Sequence, residues 1–401
     1  MPWKSYSVMD SRLEFVRLAR SGGVSVAELC RRFGISRQTG FALLRRQGEG
    51  GDAALAERSR RPHESPRRVA AALEARIVAL RQAHPAWGGR KLARRLRDLG
   101  VEGVPAASTV TEVLRRHGLL DPAEAARHRP VQRFERAAPN DLWQMDFKGH
   151  IATDAGRCHP LTVLDDHSRY ALGLIACAGE SRELVQQHLT GLFRRYGLPR
   201  AMLADNGPPW GATGHAKAAP GIPATALEVW LMRLGIRLLH GRPRHPQTQG
   251  KEERFHRTLA IEVLRPQRFR DLAACQAAFE HWRPIYNNER PHEALGLAVP
   301  STRYQPSATP FPSRLPDPEY HPTDLIRRVR SDGAVKFQGR TYALSQAFAG
   351  LDVAFRATAT EGVWSVHFMR FTIARIDTKD VAEQYPTVRD VSEHPSTISP
   401  V

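Results

Sequence analysis

The sequence predicts a multidomain protein: all-α helix-turn-helix domains at the N-terminus, an α/β core, and a small C-terminal β-barrel. Three observations predict it. The chain has 401 residues, enough for two to four domains. Apolar residues recur at a helical period up to about residue 120, and strand-length runs begin at Asp141. A Pro-dense stretch from Leu297 to His321 then sets off a final group of short strands.

The first helix runs from Met9 to Arg20, with Leu13, Val16 and Leu18 among polar residues, and ends at Gly22-Gly23. Ser25 opens a second helix, and Glu28 three residues later fits a capping box. That helix stops at Gly34, and a third runs from Arg37 to about Arg46. Two short helices joined by a glycine turn give a helix-turn-helix over residues 1–50. Its second helix can lie in the major groove, so Arg37, Gln38 and Thr39 at its exposed start are candidate DNA contacts.

A polar segment leads to a second set of helices: Val69 to His84, Gly89 to Leu99, and a third capped by Ser108 and stopped by Gly118. These read as a second helix-turn-helix over 66–120, followed by an Arg-bearing linker at 121–137.

Beyond it, Leu142–Ile151 reads as a strand. Pro160–Cys177 reads as two strands turning at Asp165-Asp166-His167-Ser168-Arg169. Ser181–Tyr196 is an amphipathic helix, Arg200–Ala204 a strand, Ala226–Leu234 a helix and Arg237–His240 a strand. A long helix starts near Gly250. This mixture indicates an α/β domain of roughly 150 residues. A Pro-rich linker at 305–322 precedes strands at Val335–Phe337, Arg340–Leu344, Asp352–Ala357 and Val363–Ile376. They predict a small β-barrel over 323–378 with a polar tail at 379–401.

Lys and Arg total 59 against 41 Asp and Glu, giving a net charge of +18, and only 7 of the 59 are Lys. Such an excess predicts a polyanionic partner, and double-stranded DNA fits. Cys30, Cys158, Cys177 and Cys275 are scattered without a C-x-x-C pair, so neither a zinc finger nor a disulfide framework is suggested, and reduced, buried thiols are expected. No apolar run is long enough to span a membrane, and the N-terminus lacks a secretory signal. A cytoplasmic protein, nucleoid-associated when bound to DNA, is expected.

Three carboxylates stand out. Asp146 lies inside the apolar strand Leu142-Trp-Gln-Met-Asp-Phe147, and Asp205 ends Met202-Leu-Ala-Asp. Glu253 lies on the helix that follows Pro246-Gln-Thr-Gln-Gly250. Buried or strand-end carboxylates are costly unless paired or bound to a cation, and Mg2+ prefers oxygen ligands. The helix separates Glu252 from Glu253: Phe255, Leu259 and Val263 form one stripe, Glu252 falls within its arc, and Glu253 falls outside it near Arg257. Glu253 is therefore free to face a cleft beside the sheet. Lys148, Gln249, Lys251, Arg254 and Arg257 surround these motifs as candidate phosphate contacts.

Trp143-Gln-Met-Asp146, Asp205-Asn-Gly207 and His245-Pro-Gln-Thr-Gln-Gly-Lys-Glu-Glu-Arg-Phe-His-Arg-Thr-Leu259 resemble the three signature blocks of the DDE transposase and retroviral-type integrase family. Tyr286-Asn-Asn-Glu-Arg-Pro-His292 resembles the closing block of that core in bacterial insertion-sequence transposases. The resemblance covers residues 138–304. Asp146 and Asp205 are 59 positions apart, and 47 residues separate Asp205 from Glu253. The second interval exceeds the family's best-known spacing, and the surplus fits a loop insertion at 208–224.

The resemblance implies a ribonuclease-H-like fold and a two-metal site. Asp146, Asp205 and Glu253 would hold two Mg2+ ions, with Mn2+ able to substitute. It implies a transposase acting on the ends of an insertion sequence and on target DNA, as a homo-oligomer on DNA. An inactive transposase-derived DNA-binding regulator and a nuclease of the same fold are the rival readings.

Overall fold

The computed structural model describes residues 7–57, 68–120, 135–211, 221–241 and 250–379. The chain divides into two compact units, Met1–Arg68 and Val69–Val401. Most of the linker expected at 121–137, the centre of the loop expected at 208–224, Gln249, and nearly all of the tail expected at 379–401 lie outside the described residues.

In the first unit, α1 (Val8–Arg20), α2 (Val26–Arg32) and α3 (Arg37–Gly50) pack around Phe15, Val16, Leu29, Cys30 and Leu43. Serine caps open all three helices: Ser7, Ser25 and Ser36 each accept a hydrogen bond from the backbone three residues on. The reciprocal capping box belongs to Ser7 and Asp10. At Ser25 only half of the expected box forms, because the Glu28 carboxylate turns to Arg31 and Arg32. Gly40 is the contact point of α3. A Cβ there would come within 2.5 Å of Cys30 Sγ and 3.0 Å of Phe15.

The second unit opens with α4 (Ala71–Ala83), α5 (Gly89–Asp98) and α6 (Ala107–Arg116), closed around Ile77, Trp87, Leu92, Val110 and Leu114. The expected cap at Ser108 is corrected: α6 begins at Ala107 with no side-chain cap, so Ser108 lies inside the helix.

The core sheet contains β1 (Trp143–Phe147), β2 (Ile151–Thr153), β3 (Gly156–Asp165), β4 (Ala171–Cys177), β5 (Ala201–Ala204) and β6 (Arg237–His240). The run Leu142–Ile151 thus breaks into two strands. The order is β2-β3-β1-β5-β6, with β4 also paired to β3. β1, β5 and β6 are mutually parallel, and β3 runs antiparallel to β1, β2 and β4.

Helices cover both faces of this sheet, making the three-layer α/β architecture of a ribonuclease-H-like core. On one face α7 (Arg182–Tyr196) and α8 (Ala226–Arg233) meet Trp143, Met145, Leu161 and Val163 through Val185, Leu189, Phe193, Leu227 and Trp230. On the other, α9 (Gly250–Leu259) and α10 (Leu272–Asn288) meet Leu164 and Leu174 through Phe255, Leu259, Phe279 and Trp282. Side chains alternate along a strand, so Gln144, Asp146 and Thr162 point to the α9 face. α5 docks on α10 through an Arg95–Glu289 ion pair and through Ile285.

At the C-terminus, β7 (Leu325–Arg328), β10 (Asp352–Ala357), β11 (Val363–Phe368) and β12 (Phe371–Asp377) form a four-stranded antiparallel sheet. β8 (Ala334–Phe337) and β9 (Arg340–Ala343) form a separate hairpin on the same core of Val335, Phe337, Phe348, Phe355 and Phe368. The expected barrel is therefore two small sheets packed together, not one closed ladder among the described residues. The four described cysteines are all free and buried, as expected.

Candidate active site

Strand register brings the two aspartates together. Trp143 faces Met202 and Gln144 faces Leu203 in the parallel β1–β5 pair. Two steps further along the same register lie Asp146 and Asp205, at the C-terminal ends of neighbouring strands. Burial pushes the Asp146 carboxyl up to about 7, and the charge of Asp205 adds to the shift. Asp205 is half-buried and shaped by its turn: Gly207 N donates to its Oδ1 at 2.9 Å, and His240 Nδ1 donates to its backbone oxygen at 2.7 Å.

α9 lies against β1 and β3 with Glu252, Phe255, His256 and Leu259 inward and Glu253, Arg254 and Arg257 exposed. This is the helix phase read from the sequence. Glu252, 1% exposed, has the better-defined surroundings of the two glutamates. Its Oε2 accepts from Thr162 Oγ1 at 2.9 Å, and its Oε1 has no hydrogen-bond partner among the described residues. Burial and the charge of Asp146 push this carboxyl well above the usual range.

Thr162 is the residue opposite Asp146 in the β1–β3 register, and its Oγ1 also lies 3.0 Å from the Asp146 backbone oxygen. His256 Nε2 approaches the same hydroxyl at 2.9 Å, and its Nδ1 lies 3.9 Å from Asp146 Oδ2. Burial, with Lys148 nearby, pushes His256 down to about 3, so it is neutral at ordinary pH. Thr162 and His256 were not singled out from sequence. The available signals were a lone polar residue in Pro160-Leu-Thr-Val-Leu164 and a histidine one helical turn after Glu252.

The turn between β3 and β4 anchors the start of α9. Asp165 accepts from Ser168 N at 2.7 Å and Asn140 N at 2.8 Å, the turn role read from sequence. Asp166, 2% exposed, accepts from Gln144 Nε2 at 2.6 Å and Arg136 N at 2.8 Å, and pairs with Lys251. This corrects the reading of Lys251 as a phosphate contact. Its ammonium is turned inward onto a carboxylate, and burial outweighs Asp166 in pulling it down to about 8.

Other candidates fall as follows. Lys148 is half-buried beside Asp146. In the first unit Arg37, Gln38 and Thr39 are exposed on the first turn of α3, but the Thr39 hydroxyl is engaged with Ser36 Oγ at 2.9 Å. Trp143 and Trp210 are fully buried beside the site. Trp143 donates to Asn140, and Trp210 stacks on Phe147. Arg290 and His292 are buried around Tyr286, in a packing role. No helix among the described residues is long and apolar enough to cross a membrane.

Comparison with known proteins adds family to geometry. The integrase core domain model matches residues 136–246, and a second integrase core model matches 234–300. A helix-turn-helix domain model matches 11–63, and a homeodomain-like model matches 39–114. The C-terminal domain of IS481 family transposases matches 324–384.

An uncharacterized 39.2 kDa protein of insertion element IS476 from Xanthomonas euvesicatoria is 29% identical over 253 residues, spanning 60% of this chain and 68% of that protein. An uncharacterized 31.7 kDa protein of insertion element IS407 from Burkholderia multivorans is 30% identical over 164 residues, 41% of this chain and 55% of that one. Among solved structures, a simian T-cell lymphotropic virus intasome in complex with PP2A regulatory subunit B56 gamma aligns over 73% of this chain and 95% of its own, at 14% identity and TM-score 0.37. The HTLV-2 integrase catalytic core domain in complex with magnesium aligns over 42% of this chain and 97% of its own, at 12% identity and TM-score 0.30.

Proposed function

We propose that this chain, which matches integrase core and IS481 family transposase C-terminal domain models, is a DNA transposase whose divalent cations are held by Asp146, Asp205 and Glu253. The observation that carries this reading is the adjacency of Asp146 and Asp205 at the ends of paired parallel strands, with α9 packed against the same sheet. The donor set fits Mg2+ or Mn2+, since it consists of carboxylate oxygens. The raised Asp146 carboxyl fits too: crowded carboxylates resist ionising until a cation relieves them.

Two ions, when bound, would stabilise charge on the attacking and leaving oxygens of a scissile phosphate. The remaining work belongs to the chain. Asp146 is fixed by strand pairing, and Asp205 by the Gly207 and His240 hydrogen bonds. Glu253 is exposed on α9 and would complete the donor set, although no group of three such side chains comes together among the described residues. Arg254 and Arg257, exposed on the same helix, and Lys148 beside Asp146 would bear on DNA phosphates. Gln249 precedes the same helix. The attacking group is water in strand cleavage and a DNA 3′-hydroxyl in strand transfer. The helix-turn-helix units select element ends, and two ends must meet, so the active form is a homo-oligomer on DNA.

Nicking of supercoiled plasmid with Mn2+ or Mg2+ tests this without knowledge of the ends. Wild type and Glu252→Gln should nick, whereas Asp205→Asn and Glu253→Gln should not. Equal nicking by all four chains would reject the site. Recombinant joints among the products distinguish a transposase from a nuclease. A chain that neither nicks nor binds Mn2+ with DNA present would be a regulator.

A further inference from the structure

In the first unit, one side chain breaks the rule that large apolar groups are buried. Phe41, on α3, is 59% exposed and takes no part in the cluster formed by Phe15, Leu29, Cys30 and Leu43. It is the one phenylalanine or tryptophan exposed among the described residues. At about 100° per residue, Arg37, Phe41 and Arg45 fall within one outward arc, and Gln38 lies at its edge. All four are exposed, while Gly40 and Leu43 face the core. Gly48, one to two turns beyond Phe41, meets nothing within 4 Å of a built Cβ, so that side of the helix is open.

An exposed aromatic flanked by two guanidiniums fits a partner that is anionic at its edges and presents an apolar spot between them. A DNA major groove does this wherever a thymine C5-methyl projects between the phosphate walls. We propose that Phe41 is a specificity-determining residue: it packs on a thymine methyl in the recognised sequence, with Arg37 and Arg45 on the flanking phosphates and Gln38 on a neighbouring base edge. The inference rests on the reading of α3 as a DNA-recognition helix.

The test starts with selection of preferred duplexes from a random pool by the full chain. Each thymine of the selected sequence is then replaced in turn by deoxyuridine, which keeps the pairing edge and the O4 acceptor and removes only the methyl. At one position the wild type should lose about fourfold in affinity, the value of one apolar carbon removed from water. Phe41→Ala should bind the thymine duplex about as weakly as the wild type binds the deoxyuridine duplex, and should not distinguish the two. Its salt dependence should be unchanged, whereas Arg45→Ala should lower the salt slope by about one.

The side chain is exposed, so Phe41→Ala should keep its circular dichroism spectrum. The proposal is overturned if Phe41→Ala still distinguishes thymine from deoxyuridine, or if the wild type is indifferent at every thymine. It is also overturned if the variant loses only self-association. A wild type that selects no sequence would overturn the DNA-reading premise itself, an outcome distinct from these.

Discussion

Lys251→Met separates an internal anchor from a DNA contact at the start of α9. Lys251 and Asp166 keep 17% and 3% of their side chains exposed, so their pairing is an interior one. Removing the ammonium leaves a buried carboxylate with two hydrogen bonds, from Gln144 and from the Arg136 backbone. Breaking a buried pair while one charge stays costs about 3–5 kcal/mol. The two surviving bonds to Asp166 hold the loss at or below the lower end of that range, about 2–3 kcal/mol. A domain of this size loses about 2–4 °C per kcal/mol, so Tm should fall by roughly 4–12 °C.

The assay is thermal unfolding of the full chain beside DNA affinity measured across salt concentrations. The salt slope of Lys251→Met should match that of the wild type, because no phosphate contact is lost. A second substitution, Asp166→Leu, removes the stranded carboxylate and should recover part of the stability, giving a coupling energy from the double-mutant cycle. An unchanged Tm together with a salt slope reduced by about one would refute the reasoning and return Lys251 to the DNA.

Three further outcomes are expected. Glu253→Gln, on an exposed position, should change stability by no more than about 0.5 kcal/mol. The Glu252 carboxyl is raised in the fold, so in metal-free protein its contribution is fully present below the unfolded value and is lost as pH rises. Glu252→Gln should therefore exceed the wild type in urea stability at pH 8 and show no gain at pH 4, and a gain of equal size at both would contradict this. Mg2+ or Mn2+ should raise Tm more at pH 8 than at pH 5.5, because protons compete for an Asp146 carboxyl raised to about 7. Asp205→Asn should abolish the response, and a response that survives it would place the metal elsewhere.

Lys91, on α5, is pulled down to about 7, first by burial and then by Arg290. A depressed lysine contributes stability that is present above its unfolded value near 10.4 and is lost as pH falls toward 7. Lys91→Met should remove that slope and add on the order of 2 kcal/mol at pH 7. Parallel stability–pH curves for variant and wild type would show the lysine to be solvated.

Much of the core was legible because its signals are local. Arg237–His240 and Asp352–Ala357 have the bounds that the residue pattern indicates, and β3 and β4 turn at the predicted Asp165–Arg169. The helix phase that set Glu252 apart from Glu253 needed only 100° per residue. α10 was not read as an element because Pro284 lies within Leu272–Asn288 and resembles a stop. Its apolar face, Cys275, Phe279, Trp282 and Tyr286, nevertheless keeps helical spacing. β7 was missed because all four of its residues are exposed at a sheet edge, leaving no alternation to detect. Thr162 and the pairing of Lys251 with Asp166 were hidden for another reason. Their partners are 16 or more residues away, and only strand register or helix docking brings those partners near.

The same contrast explains how a site of like charges can be built at all. Asp146 and Asp205 repel, and Glu252 adds a buried carboxyl beside Asp146. Local preferences alone would keep such groups apart. They are held by backbone pairing of β1 with β3 and β5, by the buried faces of Trp143 and Met145, and by Phe255 and Leu259 fixing α9. Thr162 stitches strand to helix at the point of greatest crowding, within 3.0 Å of the Asp146 backbone and 2.9 Å of Glu252. The apolar layers thus supply the stability that the carboxylates consume. A cation arriving at Asp146 and Asp205 would relieve the repulsion already built into the fold, so metal binding should raise folding stability.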